Sequence, residues 1–133
     1  MGIPLADAVG LTEREISLIA EDQGVPRLPL VYGEFLREMG RGGGRFLAGT
    51  EAFYPGILGL KEDATRLLLE NRMEGLISNE SIVLAMHQGY QVYWMIDFRL
   101  DDPAVRMFQE GESGIFREWD SFTDFLRDEA SRL

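Results

Sequence analysis

The sequence predicts an α+β domain in which a central, largely antiparallel β-sheet packs with N-terminal, middle and C-terminal helices. Three observations predict it. Apolar residues recur at helical spacing near both ends of the chain, two runs between residues 82 and 98 read as strands, and no strand–helix unit repeats as a doubly wound parallel sheet requires. With 133 residues and no Ser/Gly/Pro linker or internal repeat, residues 1–133 are read as one domain, long enough to bury a real core.

The first helix is expected near 12–23. Thr12 can cap it, Glu15 stands at N3 to complete a capping box, and Leu11 can staple onto Ile16. Ile16, Ile19 and Ala20 follow at helical spacing, and Gly24 stops the helix before Val25 and Pro26. A second helix runs from Pro29, whose missing N–H is tolerated in the first turn, to about Met39, with Gly40 ending it in the left-handed conformation. Tyr32, Phe35, Leu36 and Met39 form its apolar stripe. These are core positions, because exposing the aliphatic and Phe members forfeits about 1.5–3 kcal/mol each.

The middle is less regular. Phe46 to Ala48 and Phe53 to Leu60 are candidates for short strands, punctuated by Gly49, Pro55, Gly56 and Gly59. Ala64, Leu67 and Leu68 support a third helix from Glu62 to about Arg72, ended near Gly75. Ile82 to Met86 then reads as a strand, and after His87-Gln88-Gly89 a second runs from Tyr90 to Phe98. On it Val92, Trp94, Ile96 and Phe98 share one face, and Gln91, Tyr93, Met95 and Asp97 share the other. The first face is core; the mixed one either packs beneath another element or forms a recognition surface. Asp101-Asp102-Pro103 reads as a turn, Ala104 to Phe108 as a strand and Gly111 to Gly114 as a second turn, giving a hairpin meander. The closing helix spans about Ser121 to Ala130, capped by Asp120 or Ser121, with Phe122, Phe125 and Leu126 facing inward and Asp124 near its positive end.

Composition narrows function by exclusion. Thirteen Lys and Arg against 23 Asp and Glu give a net charge of −10, which disfavours nucleic acid and anionic lipid as partners and favours a basic protein. Residues 1–45 carry 5 basic and 7 acidic side chains and residues 46–133 carry 8 and 16, so the excess lies in the later part. With no Cys and a single His, disulfides, thiol nucleophiles and multi-histidine zinc sites are excluded. Met1 to Gly10 shows no basic region followed by an apolar run, and no apolar stretch approaches bilayer length, so a cytoplasmic protein is expected.

The run "GRGGGR" at 40–45 lacks the Gly-Lys-Ser/Thr ending of a phosphate loop and reads as a wide turn. "GESG" lacks the spacing of a nucleophile elbow. His87 admits structural hydrogen bonding in a turn, protein recognition or proton transfer; the last needs an oriented partner that the sequence does not supply. Asp101-Asp102 and Glu110-Gly111-Glu112 offer carboxylates for a hard cation, but without the spacing of an EF-hand they read as an acidic rim. Arg37, Arg41 and Arg45 solvate a helix end and loop rather than form a nucleic-acid patch, since no aromatic-basic strand accompanies them.

Three segments in order, "LTEREISLIAEDQGVPRLPLVYGEFLREMG", "IVLAMHQGYQVYWMIDF" and "WDSFTDFLRDEA", make the chain resemble the SUKH superfamily, the group related to fungal cell-wall synthesis regulators and abundant among bacterial immunity proteins. Leu28-Pro29 with Tyr32, Phe35 and Leu36, His87-Gln88-Gly89-Tyr90, and Trp119 with Phe122, Phe125 and Leu126 match its fold-supporting pattern. The resemblance implies an α+β binding module with no catalytic set. Many such modules neutralise polymorphic toxins by direct binding, and others serve regulatory or scaffolding roles. The expected function is therefore a non-catalytic immunity protein, without cofactor or metal, whose partner is a basic cognate toxin, a nuclease being one candidate; a regulatory interaction domain is the alternative. A homo-oligomer stays open. The expected interface is Tyr93, Met95 and Asp97 on the mixed strand face, with Asp101, Asp102, Glu110 and Glu112 near its ends. Set against it are a second buried face for Tyr93 and Met95 and ordinary solvent exposure for the acids.

Overall fold

The computed structural model describes residues 7–43, 46–47 and 50–132. Strand β1 (Ala8–Val9) leads into helix α1 (Glu13–Asp22), which starts as its local sequence dictates. Thr12 Oγ1 accepts from the Glu15 N–H at 3.2 Å, and the Glu15 carboxylate accepts from the Thr12 N–H at 3.0 Å. Such a reciprocal cap stabilises a helix start by about 1 kcal/mol. Gly24, at φ +73°, turns the chain out of the helix as expected.

Helix α2 (Leu30–Met39) buries Tyr32, Phe35, Leu36 and Met39, the stripe read from the sequence. Gly40 corrects the expectation of a left-handed cap: its φ is −60°. Glycine is required there by close approach instead, since a Cβ would collide with Leu11 and with the Leu36 carbonyl. Strand β2 (Gly42–Gly43) pairs antiparallel with β1, where a wide turn was expected. Gly44, Arg45, Ala48 and Gly49, which figured in that turn, in the Arg patch and in the Phe46 to Ala48 strand, lie outside the described residues.

Phe53 to Leu60 is not a strand. Strand β3 is only Thr50–Glu51, and the residues after it turn back on themselves, with the Ile57 N–H donating to the Phe53 carbonyl at 2.8 Å. Pro55, Gly56 and Gly59 favour that local closure over cross-strand pairing. Helix α3 (Leu60–Glu70) therefore starts two residues before Glu62 and buries Leu60, Ala64, Leu67 and Leu68. It also stops well short of Gly75. Arg72 adopts φ +58°, its N–H donates to the Leu69 carbonyl at 3.0 Å, and the Met73 N–H reaches the Leu68 carbonyl at 2.7 Å. This Schellman closure ends the helix without a glycine, and a short 3₁₀ turn at Glu74–Leu76 follows.

The main sheet is an antiparallel meander in the order β3-β4-β5-β6-β7, adding β4 (Ile82–His87), β5 (Gln91–Met95), β6 (Val105–Gln109) and β7 (Arg117–Trp119). β5 is shorter than the expected run to Phe98; after one further cross-strand bond, from the Ile96 N–H to the Ala104 carbonyl at 3.1 Å, the chain turns away and the Phe98 N–H pairs with the Glu80 carbonyl at 2.9 Å. β7 was not foreseen. Helix α4 (Phe122–Ala130) has Ser121 as its cap, its Oγ accepting from the Asp124 N–H at 3.0 Å.

α4 joins α2 to the sheet through aromatic contacts. Phe122 meets Tyr32 and Phe35 edge-on at 5.4 and 5.6 Å, and Phe125 meets Trp119 edge-on at 5.0 Å. α3 packs on β4. β4 carries a bulge between Val83 and Ala85, and both backbone groups of Val83 are satisfied by one side chain. The buried Gln23 amide donates to the Val83 carbonyl at 2.8 Å and accepts from its N–H at 3.0 Å, extending the sheet edge by a single side chain. Beside it the Lys61 ammonium donates to the carbonyls of Gln23, Asn79 and Ser81, tying the ends of α1 and α3 to the start of β4. Desolvation draws the Lys61 pKa below its ordinary value.

Candidate functional site

The strand register sorts one sheet face into three rows. Ile82, Met95, Val105 and Trp119 lie opposite one another, then Ala85, Tyr93, Met107 and Arg117, then Thr50, His87, Gln91 and Gln109. The first row is buried throughout, the second is half open at Tyr93 and Arg117, and the third is partly exposed at all four positions. The gradient follows α4, whose Phe125 packs on Tyr93 at 5.7 Å and on Trp119. Past Phe125 the same helical stripe turns polar at Glu129 and Arg132, one turn and two turns on. These side chains line an open cavity of about 350 Å³ together with Thr50, His87 and Gln91 of the third row, Tyr93 and Arg117 of the second, and Phe116.

Polar groups converge on it. Thr50 Oγ1 and His87 Nδ1 are 2.9 Å apart, Tyr93 Oη donates to Gln91 Oε1 at 3.1 Å, and Gln91 Nε2 donates to Gln109 Oε1 at 2.8 Å. Arg117, Arg132 and the Trp119 indole all donate to Asp128 Oδ2 at 3.0 Å. That convergence, the indole first, lowers the Asp128 pKa, whereas desolvation raises those of Glu129 and Tyr93. The turns at this end of the sheet are apolar and acidic. Tyr90 is 38 % exposed, Ile115 43 % and Phe116 45 %, and Glu110 and Glu112 stand exposed on the β6–β7 turn. The Glu110 N–H donates to the Tyr90 carbonyl at 2.9 Å, joining the two turns, and the Tyr90 ring lies edge-on to His87 at 6.1 Å.

The residues expected to form one interface divide into three groups. Tyr93 lines this cavity, and Glu110 and Glu112 stand exposed on the turn after Gln109 at the same end of the sheet. Met95 is 0 % exposed in the first row, beneath α4, and cannot meet a partner in this conformation. Asp97, Asp101 and Asp102 sit in the loop at the opposite end of β6, about 14 Å of strand from Gln109. Two of these three spend their carboxylates internally. Asp97 pairs with Arg99, whose side chain and N–H hold its pKa down at about 2. Asp102 accepts from the Thr123 hydroxyl at 2.6 Å and from its N–H at 3.0 Å, securing the start of α4. Asp101 is exposed, and its carbonyl accepts from the Val31 N–H at 3.0 Å.

Sequence reasoning did not place Glu129, Arg132, Arg117 or Phe116 at the site. The available signal was the spacing of Glu129 and Arg132 after Phe125, which extends the buried stripe of α4. Arg37 and Arg41 are surface groups as expected, paired with Glu13 and Glu15. Among the described residues no three His, Cys, Asp or Glu side chains gather as a metal site, and no helix is long and apolar enough to cross a membrane.

A meander of this order between an N-terminal helix pair and a closing aromatic helix accords with the comparison to known families: the model of the SMI1/KNR4 family (SUKH-1) matches residues 10–128. The chain belongs to that family. No curated protein matches it. The matched span takes in α1 to α3, all five strands of the main sheet and α4 as far as residue 128, and so covers every lining residue of the cavity named above except Glu129 and Arg132, which lie just past it on the last turn of α4 and its exit. Membership of SUKH-1 suggests a protein-interaction domain.

Proposed function

We propose that this SUKH-1 chain is an immunity protein that neutralises a basic toxin in the cytoplasm by binding it, and that docking uses the cavity end of the sheet. The carrying observation is the conjunction at that end of exposed Tyr90, Ile115 and Phe116 with Glu110 and Glu112 around a concave polar floor. Interfaces of measurable affinity combine such anchors, which slow dissociation, with charges that speed encounter. With a net charge of −10, the field of the whole protein steers a basic partner toward it.

Blocking by binding asks nothing more of the fold. A toxin whose active site or substrate approach is covered by this surface is inactive for as long as the complex lasts. The test is co-expression with the toxic product of an adjacent gene, followed by purification. Restored growth together with a stable complex supports the reading. Persistent toxicity in cells that contain the folded chain, with no complex at micromolar concentration, overturns it. A stable complex with a non-toxic neighbour product would instead point to regulatory scaffolding.

A further inference from the structure

Glu129 is the under-served charge of the cavity. Its side chain is 16 % exposed, and the nearest cation, Arg132 Nη1, lies 3.6 Å away, beyond hydrogen-bonding distance. The neighbouring Asp128 takes the donors instead: Arg117, Arg132 and the Trp119 indole each reach its Oδ2 at 3.0 Å. Arg117 and Arg132 thus spend their hydrogen bonds on Asp128, and Arg132 gives Glu129 a long ion pair while the Glu129 carboxylate lines the cavity. Burial correspondingly holds the Glu129 carboxyl above its ordinary range despite Arg132. The groups gathered at the cavity are His87 from β4, Tyr93 from β5, Arg117 from β7, and Arg132 from the exit of α4 beside Asp128 on the helix itself.

We propose that the cavity seats an arginine side chain of the partner, with Glu129 as its counter-charge and the Tyr93 and Phe116 rings flanking the guanidinium. This inference rests on the protein-binding reading above and names the chemistry of the partner's anchor. Guanidinium suits the site better than ammonium because it is planar, weakly hydrated and stacks on aromatic faces. The protein already uses that contact, with Arg117 at the cavity itself 4.7 Å over the Trp119 ring and Arg41, outside it, 5.0 Å over Tyr54. The rim carboxylates Glu110 and Glu112 add to the local attraction for a cation.

The test needs no partner protein. Butylguanidinium, butylammonium and acetate are titrated separately into the full chain, with NMR following the Glu129 carboxyl, the His87 ring and the Tyr93 ring. Butylguanidinium should give saturable shifts at all three and lower the Glu129 pKa; butylammonium should bind more weakly, and acetate not at all. Glu129→Gln should lose about tenfold or more of the guanidinium affinity, as removal of a partly buried charge partner does. It should also unfold at an equal or higher temperature than the parent at neutral pH. A carboxyl whose folded pKa is raised stabilises the fold only below its unfolded pKa and costs stability as pH rises through the folded one, and Gln removes that cost. Absence of saturable guanidinium shifts, equal binding by Glu129→Gln, or preference for acetate overturns the inference. If the probe fails while the toxin complex forms, the binding reading survives and only the arginine anchor falls; if the probe binds while no toxin complex forms, the reverse holds.

Discussion

The two ends of the main sheet carry similar numbers of carboxylates and use them differently. At the β5–β6 end, Asp97 holds Arg99 and Asp102 holds Thr123, so two acids are structural. At the β4–β5 and β6–β7 end, Glu110 and Glu112 are exposed beside uncovered Tyr90 and Phe116, and Glu129 is held by a long ion pair to Arg132, at 3.6 Å. An acidic count therefore says little about docking. What separates a recognition acid from a structural one is whether the fold already satisfies it, since a carboxylate that accepts intramolecular hydrogen bonds must give them up before it can serve a partner.

The comparison breaks most visibly if the apolar rim is removed. Phe116→Ala combined with Tyr90→Ala should weaken toxin binding by about a hundredfold, from about 1–2 kcal/mol per lost anchor, with little change in the urea midpoint because both rings are largely outside the core. Unchanged affinity in titration calorimetry would move the interface elsewhere. Asp102→Ala should do the converse. Losing both Thr123 hydrogen bonds should destabilise the fold by about 1–2 kcal/mol in urea unfolding, while the association rate stays the same.

Charge reversal sharpens the contrast further. Glu110→Lys with Glu112→Lys should slow association several-fold and flatten its salt dependence, and Asp101→Lys should change both less, as stopped-flow across ionic strength will show. The smallest effect belongs to Asp97. Its folded pKa of about 2 lies below the unfolded value, so its contribution is present above the unfolded pKa and is lost as pH falls through about 2. Because the pair is exposed, Asp97→Asn should cost little at neutral pH and should shrink the difference from the parent on acidification toward that value.

Much of the fold was legible because it is locally encoded. The Thr12–Glu15 box, a cap at Asp120 or Ser121 that the structure gives to Ser121, and the alternation of Val92, Tyr93 and Trp94 each need only neighbours in sequence to declare themselves. Where the reading failed, the cause was tertiary or too short to show a period. Leu60 reads as the end of an apolar run but begins α3, while β7 is three residues with one apolar member and exists by pairing with β6. Gly40 signals a cap and serves a close approach. The site was half legible for the same reason: Tyr93, Glu110 and Glu112 sit on elements the sequence announces, whereas Glu129 joins them only because α4 lies across the sheet. Asp102 was misread as surface because its partner, Thr123, is 21 residues away.

Hydrogen–deuterium exchange of the chain, free and in the toxin complex, locates the docking surface. Docking at the cavity end should slow exchange at 87–91, 109–117 and 129–132 and leave 97–102 unchanged. Protection confined to 97–102, with the cavity end exchanging as in the free protein, would contradict it.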